Sequence, residues 1–259
     1  YWLTGERDFM GNGFQGYTPE AAVNLSRSSW GLYGQVEADV IKGLTLNAAI
    51  RHEQFSDFGG TTNWKVAGLY GPASWISVRG AFSTGFRAPT VGQLYQTSIT
   101  YSWVGQSPLE AAVFPVSNPA AKAFGALPLQ PEKSRNLSAG FVLTPLSGLT
   151  LSLDYYRIDI RDRLSLTGYL DITNNTLGMT ADQKRKILVD LGLPNAQTLA
   201  RLRYFTNAYA TRTTGVDLTG SYRAETGLGR FTTTIAANYN ESKVTSVTPI
   251  MVLGNPYNV

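Results

Sequence analysis

Apolar residues recur at every second position along eight separate stretches, and no other feature constrains the fold as much. In WGLYGQVEADVI, the even positions are Trp30, Leu32, Gly34, Val36, Ala38 and Val40; the odd ones are Gly31, Tyr33, Gln35, Glu37 and Asp39. Period two is the signature of a strand with one apolar and one polar face. The pattern returns from Leu44 (Leu46, Ala48, Ile50), from Thr62 (Trp64, Val66, Gly68, Tyr70) and from Ser74 (Ile76, Val78, Gly80, Phe82). It returns again from Asn136 (Leu137, Ala139, Phe141, Leu143) and from Leu149 (Leu151, Leu153, Tyr155). The last two stretches start at Thr214 (Val216, Leu218, Gly220, Tyr222) and Arg230 (Phe231, Ile235, Ala237, Tyr239). None of these apolar faces carries a charge.

A soluble sandwich would also hide one face of every strand, but three features favour lipid. The strands reach about ten residues, the length a tilted membrane strand needs, against a mode near five or six in soluble sheets. Trp30, Trp64, Tyr70, Trp75, Tyr155, Tyr222, Phe231 and Tyr239 stand at strand ends, where an interfacial girdle places aromatics. Short links (Ile41–Leu44, Gly71–Ser74, Leu143–Leu149, Arg223–Arg230) alternate strictly with long ones (Gln54–Thr61, Arg87–Lys133, Ser165–Ala210). That alternation is the outer-membrane pattern, with turns in the periplasm and loops outside. The fold class expected is therefore all-β, an antiparallel up-and-down transmembrane barrel. One departure follows Tyr155, where Ile158 and Ile160 become the apolar set and Arg157, Asp159 and Arg161 the charged one. Either a bulge near Tyr156 re-aims the chain, or the strand has risen above the bilayer.

Composition removes other classes. No cysteine is present, which excludes disulfides, thiolate metal sites and thiol catalysis, and the single histidine, His52, excludes a multi-His metal site. His52 itself reads as an interfacial residue on the outward face. Glu37 and Asp39 share a strand face without a partner base or nucleophile, so no catalytic constellation is visible. No phosphate-binding glycine loop opens a helix, and basic residues are not interleaved with aromatics as in nucleic-acid grooves. The reading is of a non-enzyme with no cofactor, no metal and no nucleic-acid partner.

The segment RGAFSTGFRAPTVGQLY, Arg79 to Tyr95, resembles the barrel of TonB-dependent outer-membrane receptors where a strand leaves the membrane for a loop. LQPEKSRN (Leu129–Asn136) is similar to the entry of the next descending strand, LSLDYYRIDIRDR (Leu151–Arg163) to the ascent after it, and Thr206-Asn207 with TRTTGVDL (Thr211–Leu218) to the following descent. The matches run in order over roughly Gly31 to Tyr239. The resemblance implies a barrel of about 22 strands filled by an N-terminal plug, of which residues 1–259 would be an internal piece of wall, plug and both barrel ends lying outside it. Eight strands closing as a small barrel is the other geometry. The implied activity is TonB-driven uptake of a large scarce ligand, a ferric siderophore first among them; a passive plug-free porin is the alternative. Implied partners are the chain's own plug, the TonB complex, the ferric chelate, and outer-membrane lipid with lipopolysaccharide.

On that reading Glu37, Asp39, Arg51, Glu53, Lys65, Arg79, Asp154, Asp217 and Arg223 face the lumen and the plug. Arg87 in the FRAP segment is a candidate ligand contact, though Pro89 beside it also suits a strand terminator. Tyr101 and Trp103, with Phe114 and Phe124, form either an aromatic binding rim or the local packing of a long loop. Arg157 to Arg203 carries eight basic and five acidic residues. Lys184, Arg185, Lys186, Arg201 and Arg203 in it would make a positive lid for an anionic chelate, or would neutralise lipopolysaccharide phosphates. Two short helices are expected there. Thr180 and Gln183 have capping-box spacing for a helix through Ile187, Leu188 and Leu191, ending at Gly192 before Pro194. Asn195 would cap a second, carrying Leu199 and Leu202.

Overall fold

A computed structural model describes residues 24–95, 97–104 and 107–257. The eight expected strands are present: β1 (Ser29–Ile41), β2 (Leu44–Phe55), β3 (Gly59–Ala73) and β4 (Ile76–Arg87) come first. Then follow α1 (Val91–Tyr95), β5 (Ser98–Val104), β6 (Ser107–Phe114) and α2 (Pro119–Ala123). β7 (Glu132–Leu146) and β8 (Leu149–Leu166) return to the wall, followed by β9 (Leu170–Asp171) and α3 (Ala181–Asp190). β10 (Leu199–Thr226), β11 (Gly229–Val247), β12 (Ile250–Val252) and β13 (Asn255–Tyr257) complete the chain.

Strands β1-β2-β3-β4-β7-β8-β10-β11 pair in that order, every neighbour antiparallel, as one up-and-down wall. Among the described residues β1 and β11 are its free edges, so these strands form an open wall and not a closed small barrel. Each hairpin at one end is a two-residue turn. Gly43 (φ 81°) and Gly148 (φ 83°) supply the left-handed residue in two of them, and a side chain at either would strike the backbone of Gly71 or Arg223 beside it. The other end carries the loops. The first of these is shorter than the sequence suggested, because β2 and β3 run on to Phe55 and from Gly59 and leave a three-residue turn.

The register fixes the faces. Ala38, Leu46, Gly68, Gly80, Ala139, Tyr155, Val216 and Tyr239 lie in one cross-strand row of the apolar face. This face is bare: Leu32 and Ile235 are each 70% exposed and Val36 69%. A monomer in water rarely leaves so continuous an apolar surface uncovered. From Phe231 to Tyr239 the strand covers about 26 Å at ~3.3 Å per residue, close to the ~25 Å apolar band of an outer-membrane wall. His52 is on this face, its ring 5.6 Å from that of Trp30 and its Nδ1 2.8 Å from Thr62 Oγ1.

β8 pairs with β7 without a register break from Leu143↔Leu151 to Lys133↔Arg161. No bulge lies at Tyr156. The strand instead continues past the apolar band, with Arg157, Asp159 and Arg161 on the same face as Tyr155, beyond its level.

The buried core lies beyond the apolar band, at the loop end of the wall. It is built by the loop-end segments: Phe114 from β6, Phe124 after α2, Leu170 and Ile172 around β9, Leu188 from α3, Leu199, Leu202 and Tyr204 from β10, and Ile250 and Val252 from β12. β10 joins the two parts. Its upper end pairs with β6 in parallel and with β9; its lower end pairs with β8 and β11, with register shifts at Asn207–Thr211 marking the change. The segment expected as a second helix is thus strand. Asn195 spends its side chain on Glu110 rather than on a cap, and Leu199–Tyr204 finds β6 as a partner far away in sequence. The first expected helix is α3, with both bonds of the Thr180–Gln183 capping box formed and Gly192 at φ 70° beyond its end.

Candidate functional site

Two surfaces offer chemistry: the polar face of the wall and the loop module above it. On the polar face the alternation brings Glu37, Asp39, Arg51, Glu53, Lys65, Arg79, Asp154, Asp217 and Arg223 to one side. A single row crosses all eight strands through Asp39, Thr45, Leu69, Arg79, Gly140, Asp154, Asp217 and Asn238. Its members are tied together: Thr45 Oγ1 donates to Asp39 at 2.6 Å, Asn238 Nδ2 to Asp217 at 2.5 Å, and Arg79 to Asp154 through Nε and Nη2 at 2.8 and 2.5 Å. Asn47 donates to Glu37 at 3.2 Å and Arg51 to Glu53 at 2.8 Å. A trough of about 630 Å³ runs over this face, lined by Glu37, Asn47, Lys65, Arg79, Ser138 and Asp154. Such a wall offers donors and acceptors to another polar surface or to water, with no nucleophile–base pair. Among the described residues no group of three His, Asp or Glu side chains could hold a metal ion.

At the loop end of this face the two sequence motifs meet. Arg87 donates to Glu132 through Nε and Nη2 at 2.9 and 2.6 Å, and Glu132 also accepts from the Leu164 amide at 2.8 Å. Arg87 therefore ties β4 to β7 and β8, a bracing role for a residue read as a ligand contact. Bidentate geometry makes such pairs the strong ones. Arg27, which the sequence did not single out, forms a second brace. It holds Asp57 at 2.8 and 2.6 Å, donates to the Pro89 carbonyl at 2.7 Å, and lies over the Phe55 and Phe58 rings.

The lid cations are dispersed. Lys184 is fully buried, its Nζ donating to the carbonyls of Asp171 (2.8 Å) and Asn174 (2.9 Å) and to Thr176 Oγ1 (2.7 Å). This corrects its expected place on the lid surface: three acceptors consume the three ammonium protons inside the module. Burial pulls its pKa below the usual lysine value, opposed by the nearby Asp171 carboxylate. Arg185 donates to the Ala196 and Leu199 carbonyls and so shapes the turn before β10. Lys186 is exposed beside Asp190 at 3.0 Å, Arg201 sits 3.6 Å from Asp171, and Arg203 covers the Tyr169 ring at 4.4 Å. The structure does not bring these five together as one patch. Phe114 and Phe124 are core residues, the packing alternative, while Tyr101 borders a cavity of about 300 Å³ with Ile99, Glu110 and Pro194. Trp103 belongs to β5, and its side chain falls outside the described residues. Glu110, buried and held by Asn195 and Thr198, was invisible in the sequence; Glu132 was signalled by the PE of its motif.

The sequence matches the family described as TonB dependent receptor-like, beta-barrel, over residues 2–258. Solved structures share the fold. A siderophore receptor of Acinetobacter baumannii (PirA) superposes with a TM-score of 0.57 at 12% identity, over 87% of this chain and 29% of that one. A mutant ferric enterobactin receptor of Pseudomonas aeruginosa (PfeA), solved with enterobactin, gives 0.57 at 14%, over 85% and 28%. The FrpB iron transporter of Neisseria meningitidis gives 0.51 at 14%, over 84% and 26%. The chain thus spans between a quarter and a third of the length of each of these three.

Proposed function

Since the chain belongs to the TonB-dependent receptor β-barrel family, we propose that it is a stretch of barrel wall from an outer-membrane transporter that actively imports a large scarce ligand, a ferric siderophore by preference. The observation that carries this is the pairing of a bare apolar outer face with a charged, internally bonded polar face on the same eight strands. The apolar face meets lipid in the outer membrane. The polar face lines a lumen, where Glu37, Asp39, Arg51, Lys65, Arg79, Asp154, Asp217 and Arg223 bond to an N-terminal plug and to water. Short turns lie in the periplasm, and the loop module stands outside as part of the ligand's entrance, with Tyr101, Arg201 and Arg203 at its accessible positions. The TonB complex acts on the plug and supplies the energy.

Three loop segments share one hydrophobic core, so this part of the entrance is a rigid body and not a set of independent flaps. The three similar structures, an iron transporter, a siderophore receptor and a ferric enterobactin receptor, support the ligand class. The test is uptake of ⁵⁵Fe, supplied as ferric catecholate and ferric hydroxamate chelates, by cells carrying the full-length receptor as their sole route. Uptake of one class should saturate and stop when a protonophore collapses the inner-membrane gradient. Gradient-independent leakage of small solutes, without saturable chelate uptake, would instead identify a passive pore.

A further inference from the structure

Two carboxylates are buried among the described residues, Glu110 and Glu132. Glu132 has the Arg87 guanidinium as its counter-charge. Glu110, 8% exposed, is met by neutral donors, Asn195 Nδ2 at 2.5 Å and Thr198 Oγ1 at 2.8 Å. No ion pair among the described residues includes it. A buried charge without a counter-charge is costly to keep. Glu110 also lines the cavity of about 300 Å³ in the loop module. Pairing of β5 with β6 sets Tyr101 opposite Glu110, and alternation puts Ile99 and Phe114 on the same face. The turn that leaves α3 closes the far side through Leu191, Leu193 and Pro194. That turn is pinned to β6, where the Glu110 amide donates to the Thr198 carbonyl at 3.1 Å. Buried Ile99, Glu110 and Phe114 form the floor of the cavity; exposed Pro119, Leu191 and Pro194 form its mouth.

We infer that this cavity binds a small organic cation, a primary ammonium on a compact apolar body, with the ammonium on Glu110 and the body against Ile99, Phe114 and Leu193. Charge selects the sign of the ligand. An ionised carboxylate offers about four acceptor positions, and Asn195 and Thr198 take two, so an ammonium finds the others open and supplies the missing counter-charge. The lining selects an organic ion over a metal. Among the described residues no group of three His, Asp or Glu side chains is available to replace a metal ion's water, and apolar walls give a hydrated ion nothing in return. Volume selects a small one, since about 300 Å³ is the lower end of the range for ligand pockets. The ligand is therefore opposite in sign to the anionic chelate for which Arg201 and Arg203 are candidates, and the same module has room for both. Its source is either a free amine or an amine arm carried by an imported chelate.

The experiment titrates the full-length receptor in mild detergent at neutral pH with cyclohexylamine, and with cyclohexanol and cyclohexanecarboxylate as its neutral and anionic counterparts. The amine should bind at least about ten-fold more tightly than either, the worth of a charge-assisted hydrogen bond. Bound amine should slow hydrogen exchange in residues 99–114 and 191–198 and leave the wall strands unchanged. Both readings use the wild-type protein, so they stand even if a variant misfolds. Glu110→Gln keeps the shape and, with the Asn195 amide turned over, both hydrogen bonds; it should erase the preference for the amine. Glu241→Gln, an exposed acid on the wall, should leave that preference intact. Equal affinity for amine and alcohol overturns the inference, as does a footprint elsewhere or a folded Glu110→Gln protein that still prefers the amine. A ferric trihydroxamate with one free amine, compared with its N-acetyl form, separates the sources. If cyclohexylamine displaces only the first, the cation enters as an arm of the chelate; if it displaces neither, the site takes free amines, and either result supports the cation site. Displacement of both alike would overturn it. Absence of energised uptake by the wild-type receptor would count against the transport reading alone and leave the titration standing.

Discussion

Arg79 and Asp154 form a bidentate ion pair although their strands are not neighbours: β7 runs between them, and Gly140 is the residue both side chains pass over. Arg79 pairs in register with Gly140, and Gly140 with Asp154. A methyl group at Gly140 would overlap the Asp154 carboxylate. The glycine is what lets a charge on one strand reach a charge two strands away, and the pair in turn fixes the spacing of β4, β7 and β8.

Gly140→Ala should therefore destabilise the wall by more than Arg79→Ala, since it displaces the carboxylate and leaves the guanidinium unpaired. The coupling of Arg79 and Asp154 in a double-mutant cycle should be about 1 kcal/mol or less, because both side chains are partly solvated. Urea unfolding of the full-length receptor in lipid vesicles measures both. A silent Gly140→Ala would mean that the pair tolerates rearrangement.

The two faces of the wall predict opposite responses to the same substitution. Leu46, Val78, Phe141 and Leu218 lie on the outer face within the apolar band, so Arg at any of them should cost about 2–4 kcal/mol. Asn47→Arg and Ser138→Arg face the polar trough and should be far milder. Equal costs on both faces would contradict the assignment of outer and inner sides.

The wall was legible in the sequence because each strand writes its own orientation: Leu46-Asn47-Ala48 cannot be read as a helix face. The loop module was not. Leu199 and Leu202, three apart after a good cap in Asn195, look helical locally, and only the distant β6 makes them strand. Lys184 was misplaced for a related reason. Sequence supplies its charge but not its burial, although its spacing four residues before Leu188 put it on the apolar side of α3, a signal that was there to use. Ion-pair partners such as Glu132 for Arg87 and Asp57 for Arg27 depend on register and on loop return, which no local pattern encodes.

Lys184 and Lys186, two residues apart on α3, make contrasting predictions. Lys184→Met leaves the Asp171 and Asn174 carbonyls and Thr176 Oγ1 without their buried donor, so the module should loosen by about 2–4 kcal/mol. Lys186→Ala removes only an exposed pair with Asp190 and should stay within about 0.5 kcal/mol of wild type. Hydrogen exchange on the amides of α3 and β9 resolves the difference. Comparable protection in both variants would show that the Lys184 bonds are not what holds the module.

Acid should loosen the same module through Asp171. Burial alone would raise its carboxyl pKa, but hydrogen bonds from the Thr173 hydroxyl and amide, with the charges of Arg201 and Lys184, more than reverse this and hold it below the usual aspartate value. A folded-state pKa below the unfolded one means that the unfolded chain binds the extra proton first. The stabilisation is thus complete above the ordinary aspartate pKa of about 3.9 and is lost as pH falls through the lowered value. Exchange protection in β9 and the start of α3 should stay level from neutral pH down to that range and then decline. Asp171→Asn accepts the same Thr173 bonds but carries no charge, so it should begin less protected at neutral pH and show a flatter acid profile. Parallel profiles for the two proteins would mean that another carboxylate controls the acid response of the loops.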